Sequence, residues 1–112
     1  MNYWKDYFKE VKDIITVEKE QGFFTYQVRE DSVFVEHFYI VPELRNKKVG
    51  QSFVNELFQI AKQHNKKMLK CLVDLETNNY AQNLMIYLHC GGLIWDAQYP
   101  HISMCLLVEE EK

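Results

Sequence analysis

Arg45, Lys47 and Lys48 stand directly before a run that begins at Val49-Gly50 and carries Phe53, Val54, Leu57, Phe58 and Ala61 at helical spacing. A helix that starts there presents unpaired backbone N–H groups and the positive end of its dipole, beside three mobile cations. Gln51 and Ser52 add side-chain donors in the first turn. The arrangement is an anion cradle, and it suits a pyrophosphate. Other chemistries lack their residues. No Gly-rich loop ends in Gly-Lys-Ser/Thr, and no dinucleotide fingerprint is present. His89 and Cys90 are adjacent instead of at ligand spacing. The four histidines and three cysteines form no C-x-x-C or H-x-x-x-H pair, so no metal site is expected.

The elements that position the cradle follow from the change of hydrophobic period along the chain. Trp4, Tyr7, Phe8 and Val11 recur at helical spacing, which predicts an amphipathic helix over 2–12, capped by Asn2 and lying across a sheet. From Ile14 the period becomes two: I-I-T-V-E-K-E, a turn at Gln21-Gly22, F-F-T-Y-Q-V-R, a turn at Asp31-Ser32, then V-F-V-E-H-F-Y-I-V. This predicts three antiparallel strands, the third running unbroken from Val33 to Val41 into Pro42 and the basic loop. After the helix, M-L-K-C-L-V-D-L reads as a strand, and a strand–helix–strand unit requires a parallel pair. A second helix, capped at Thr77-Asn78, has Tyr80, Ala81, Leu84 and Leu88 on one stripe and stops at Gly91-Gly92. Two terminal strands broken at Pro100 complete the chain.

The 112 residues form one domain, 1–112, whose 47% apolar and 14% aromatic content supplies a core. A net charge of −3 and a pI near 5.8 give no electrostatic footprint for nucleic acid. No leader-like segment and no apolar run of membrane-spanning length is present, so a cytoplasmic protein without membrane contact is expected. Cys71, Cys90 and Cys105 are odd in number and sit in apolar stretches, which predicts free thiols.

The phrase I-V-P-E-L-R, whose last residue opens Arg45-Asn46-Lys47-Lys48-Val49-Gly50, resembles the signature of the GNAT superfamily of acyl-CoA-dependent N-acetyltransferases. There, Arg or Gln is followed by two residues, Gly, one residue, and Gly or Ala. Lys48 stands where glycine is commonest. A second match, N-N-Y-A-Q-N-L-M-I-Y-L-H-C-G-G-L, resembles the family's Asn…Ala…Tyr-x-x-x-Gly-Phe segment, with Asn83 and Gly92 in place of the usual alanine and phenylalanine. The resemblance runs from about Ile14 to Val108. It implies an α/β (α+β) GNAT-like fold: a mixed, mostly antiparallel sheet with helices on both faces and a splayed central parallel pair.

The resemblance also implies a site. Acetyl-CoA is the co-substrate, its pyrophosphate held by Arg45, Lys47, Lys48, Val49, Gly50, Gln51 and Ser52. Its arm would lie along the backbone near Ile40 and Val41, with Asn79 as a further contact and the Ile40 N–H facing the developing oxyanion. Tyr87 takes the family's position for the acid that protonates the departing thiolate. Glu36, a carboxylate in an apolar strand, is the candidate base. Period two puts it on the face of Phe34 and Phe38, with His37 pointing the other way unless a bulge intervenes. If that face is dry, burial would raise the carboxyl's pKa. His101, Asp74 and Glu76 fall near the acceptor side. The acceptor is expected to be an amine, on a protein or a small molecule, and the shortened front of the chain implies a shallow, open site better suited to a protein lysine or terminus than to an enclosed small molecule. An exposed last strand offers an edge for a homodimer. The alternative is a GNAT-fold interaction or structural module that has lost coenzyme binding.

Overall fold

The computed structural model describes residue 3, residues 13–45 and residues 48–108. The helix expected over 2–12 therefore lies outside the described residues except for Tyr3, as do Asn46 and Lys47 of the cradle loop. The elements are β1 (Ile15–Lys19), β2 (Gly22–Val28), β3 (Val33–Val35), β4 (Phe38–Ile40), a 3-10 turn (Pro42–Leu44), α1 (Val49–Gln63), β5 (Met68–Asp74), α2 (Tyr80–His89), β6 (Leu93–Gln98) and β7 (His101–Leu107). The seven strands form one mixed, mostly antiparallel sheet of order β1-β2-β3-β5-β7-β6, with β4 also on β2.

The third strand departs from its expected form. It is two short strands, and the join is a bulge. Gln27 pairs with Phe34 and Phe24 with Phe38, so Val35, Glu36 and His37 stand opposite only Thr25 and Tyr26. Thr25 fixes the extra residue: its N–H donates to the His37 carbonyl at 3.0 Å, and its Oγ1 accepts the His37 N–H at 3.2 Å. Face parity flips across the insertion. Val33 and Val35 enter the core from β3, and Phe38 and Ile40 enter it from β4. Phe34 and Phe38 therefore do not share a face, contrary to the period-two expectation.

The bulge also ends the parallel pairing. β3 runs alongside β5 from Val33↔Leu69 to Val35↔Cys71, while β4 turns to pair with β2 alone. β5 continues to Asp74 on β7, so a gap opens between β4 and the end of β5. This is the splayed parallel pair.

α1 buries Phe53, Val54, Leu57 and Ala61 as its periodicity predicts, with Phe58 only partly covered. The α2 stripe differs from expectation. Tyr80, Ala81 and Leu88 are exposed, and the covered face runs through Asn83, Leu84, Ile86, Tyr87 and Cys90. α2 ends as expected at the paired glycines: Gly92 N–H donates to Tyr87 O (2.8 Å) and Gly91, at φ +92°, to Leu88 O (3.1 Å). That is a Schellman termination. A Cβ on Gly92 would lie 2.7 Å from the Tyr87 carbonyl, which explains glycine there. Both helices feed one buried cluster on one face of the sheet. At the other end, β7 lies between β5 and β6, so the exposed edge is β6, not the last strand.

Candidate active site

The cradle begins with a strained residue. Lys48 has φ +65°, ψ 8°, the left-handed conformation in which glycine costs nothing and a side chain costs about 1–2 kcal/mol. The first helical bond of α1 runs from Ser52 N–H to Lys48 O at 3.2 Å, and no side chain caps the helix. The N–H groups of Val49, Gly50 and Gln51 precede that bond and point out of the helix end. Lys48, Gln51 and Ser52 are exposed around them. Gly50 has a packing reason: a Cβ would run into the Ile86 side chain of α2. Arg45 lies one turn earlier, its Nε donating to Ile40 O at 3.1 Å and its guanidinium 5.7 Å from the Tyr39 ring centroid.

The strand beside the gap has one edge on β2 and one edge open. Thr25 N–H bonds His37 O, and Val41 N–H bonds Gln21 O at 2.8 Å. In an antiparallel ladder these alternate with residues whose groups point the other way, so Phe38 and Ile40 turn their N–H and C=O toward the gap. Val41, expected to line the arm slot, turns its N–H to β2 instead. Asn79, the N-cap residue of α2, donates from Nδ2 to Phe38 O at 3.2 Å, and Asn83 does so at 2.8 Å.

The gap opens into a cleft of about 430 Å³ lined by Glu36, His37, Phe38, Tyr39, Asp74 and His101, among others. Glu36 and His37 both face it because of the bulge, with His37 Nε2 3.0 Å from Glu36 Oε2. The face is not dry: the two side chains keep 43% and 59% of their exposure. His101 is the cross-strand partner of Asp74, and Asp74 Oδ1 accepts the Glu76 N–H at 2.9 Å. Glu76 itself does not line the cleft. Among the described residues no cluster of His, Cys, Asp and Glu is disposed to hold a metal.

Tyr87 lies deeper. It is fully buried, packed edge-on against Phe38 with ring centroids 5.4 Å apart, beside the Cys71 thiol. Its hydroxyl makes no hydrogen bond of ordinary geometry among the described residues, and the Cys71 thiol is the polar neighbour that it interacts with. Burial, followed by the neighbouring Cys71, pushes the phenol's pKa well above its ordinary value, so the proton stays on Oη. Burial raises the Cys71 thiol likewise.

The sequence marks Asn83 only as a departure from a family pattern, and strand alternation turns His37 away from the site. The signal for Asn83 was present, since Asn79 and Asn83 are four apart on one helix and share a face. The bulge that recruits His37 leaves no such mark.

The family model described as "Acetyltransferase (GNAT) family" matches residues 6–89. The chain belongs to the GNAT acetyltransferase family. No curated protein matches its sequence. Among solved structures, the PaiA N-acetyltransferase of Thermoplasma acidophilum in complex with coenzyme A is 17% identical at TM-score 0.71, over 90% of this chain and 65% of that one. The chain thus spans a little under two thirds of that protein. An aminoglycoside 6'-N-acetyltransferase complexed with coenzyme A is 11% identical at TM-score 0.67, covering 88% and 74%. The anti-CRISPR protein AcrVA5 is 12% identical at TM-score 0.65, covering 80% of this chain and 96% of that one. At these identities the likeness establishes the fold, and it extends to a protein no longer than this domain.

Two features test whether the residues present fit a coenzyme A thioester: an uncapped helix start, and the Tyr87 hydroxyl. The helix start fits; the hydroxyl is fully buried behind Phe38 and does not line the cleft, so in this structure it is covered from a thioester there. Among the described residues no helix is long and apolar enough to cross a membrane.

Proposed function

We propose that this protein is an N-acetyltransferase that uses acetyl-CoA to acetylate an amine, by direct attack in a ternary complex. The observation that carries the reading is the open edge of β4, which faces a cleft holding Glu36 and His37 and is joined through residues 41–48 to an uncapped helix start. Acetyl-CoA, when bound, supplies an acyl group activated as a thioester.

The N–H groups of Val49, Gly50 and Gln51 hold the pyrophosphate oxygens, assisted by Lys47, Lys48, Ser52 and the Nη groups of Arg45. The Ile40 N–H stabilises the charge that develops on the carbonyl oxygen. Glu36 takes the proton from the attacking amine, with His37 hydrogen-bonded to it. The Tyr87 hydroxyl donates to the departing sulfur. Its burial keeps it protonated at neutral pH, so it would serve as a hydrogen-bond donor to the sulfur and not as a source of a released proton, once the residues covering it open toward the thioester. Most of the rate comes from positioning the thioester and the amine within one cleft. The acceptor amine enters past the exposed His37 and His101, which suits a side chain or terminus of a protein as well as a small molecule.

The test is turnover: release of thiol from acetyl-CoA, dependent on an added peptide or small amine and lost in Glu36→Gln. Acceptor-dependent release supports the reading. Binding without any turnover across a broad set of amines would reduce the protein to a coenzyme-binding module.

A further inference from the structure

α2 is apolar on two faces, and its own fold covers one. Between Tyr80 and His89 it has no Asp, Glu, Lys or Arg, in a chain whose charged content is 26%. A helix that is apolar all round is ordinarily covered all round. Ile86 meets α1 at Gly50, Tyr87 and Cys90 pack into the core, and Asn83 reaches β4. Tyr80, Leu84 and Leu88 recur every four residues along a second face, with Ala81 and Met85 beside them. Tyr80, Met85 and Leu88 keep 41–53% of their exposure. The sheet places this face at its rim. β5 and β6 are parallel with β7 between them, and α2 connects the two, so it crosses β7 toward β6. Ile94 on β6 is the cross-strand partner of the buried Met104, which puts it on the face that carries α2, and it is 56% exposed. The bulge after Ile94 sends Trp95 to the opposite face, with its ring centroid 5.5 Å from Lys70 Nζ.

We infer that the face of α2 bearing Tyr80, Leu84 and Leu88 is the contact of a homodimer, packed against the same face of a second copy about a twofold axis and flanked by Ile94. Two observations select a second copy. The first is charge. In a twofold contact the groups near the axis meet their own copies, so a charge there would face its like. α2 carries none, whereas a surface shaped for a different protein gains on-rate and register from complementary charges. The second is area. Tyr80, Ala81, Met85, Leu88 and Ile94 together expose on the order of 400 Å² of apolar surface, the size of a patch that is often functional on a monomer. At the apolar share of about 65% found in homodimer interfaces, that corresponds to about 600 Å² per chain, the lower end of the range for a stable interface. An axis through Leu84 sets Tyr80 against the partner's Leu88, and the four-residue ridges of the two helices interlock. None of these side chains lines the β4 cleft, so the contact leaves it open.

The experiment is sedimentation equilibrium of the full chain over a concentration series, with circular dichroism to check that each variant folds. The wild type should reach twice the chain mass of 13.5 kDa, with a micromolar Kd. Leu88→Glu and Met85→Lys each place a charge at a position that is exposed in the single chain, so the fold should hold while the dimer weakens at least a hundredfold. Gln59→Glu, on the exposed side of α1, and Trp95→Lys, on the opposite face of the sheet, should leave the dimer Kd within twofold. A wild type that stays at the monomer mass up to millimolar concentration overturns the proposal and leaves the α2 face to a partner of another sequence. A dimer that survives both α2 variants also overturns it, and its loss in Trp95→Lys would then move the contact to the other face of β6. Equal weakening by Gln59→Glu and the α2 variants would make the association non-specific and overturn the assigned surface.

Discussion

Glu36 Oε2 and His37 Nε2 lie 3.0 Å apart in one cleft, although neighbours on a strand should face opposite ways. The single residue inserted opposite Thr25 and Tyr26 brings them together. A carboxylate that accepts the amine proton should therefore be removable without loss of fold. Glu36→Gln is expected to lower kcat by about 10²–10⁴-fold with little change in the KM for acetyl-CoA. Because the pair is exposed, stability should change by no more than about 1 kcal/mol. Steady-state kinetics and a thermal melt check both halves. His37→Gln should give a smaller fall in kcat than Glu36→Gln.

Tyr87→Phe should separate activity from stability. The phenol is fully buried and makes no hydrogen bond of ordinary geometry, so deleting its oxygen relieves a desolvation cost of about 1–3 kcal/mol. The variant should melt at or above the wild-type temperature while losing about 10²-fold in kcat. A parallel fall in stability and activity would show that the hydroxyl serves the core and not the leaving group.

Much of this was legible from sequence because the signals were periodic or chemically singular. The face of α1, the termination at Gly91-Gly92 and the strand–helix–strand crossover all follow from spacing and residue type. The same reasoning failed where one residue changed the count. A bulge between Val35 and Phe38 carries no composition mark of its own, since its cause, the Thr25 side chain and backbone, lies on another strand. Period two therefore extends one residue too far on this strand and turns His37 out of the cleft. The α2 stripe departs from its periodicity for a related reason. Asn83 is covered because it reaches the Phe38 carbonyl, a tertiary contact, while the apolar Tyr80 and Leu88 stay exposed.

Lys48 and Gly92 predict opposite outcomes for exchanges with and away from glycine. Lys48→Gly relieves a left-handed side-chain residue but adds chain entropy to the unfolded state, so the net gain should be small, up to about 1 kcal/mol. Gly92→Ala places a Cβ 2.7 Å from the Tyr87 carbonyl and should cost about 1–3 kcal/mol. Urea denaturation of the two variants measures both.

Alkaline pH should weaken the fold through Cys71. Burial raises its pKa above the ordinary value of 9.0, so the folded state holds the proton where the unfolded state releases it. The stabilisation is complete below pH 9 and declines as pH rises beyond it, at up to about 1.4 kcal/mol per pH unit for this group. Cys71→Ala, though less stable at neutrality, should show a shallower loss of stability between pH 9 and 10.

The central claim, that the open edge of β4 and the start of α1 together bind an acetyl-CoA for transfer, is tested most directly by calorimetric titration of the wild type and Arg45→Glu with acetyl-CoA. The account predicts a micromolar Kd for the wild type. In the variant, which loses both the cap on Ile40 and the charge beside the cradle, binding should be weakened by at least a hundredfold. No heat of binding and no thermal stabilisation of the wild type at millimolar acetyl-CoA would contradict it.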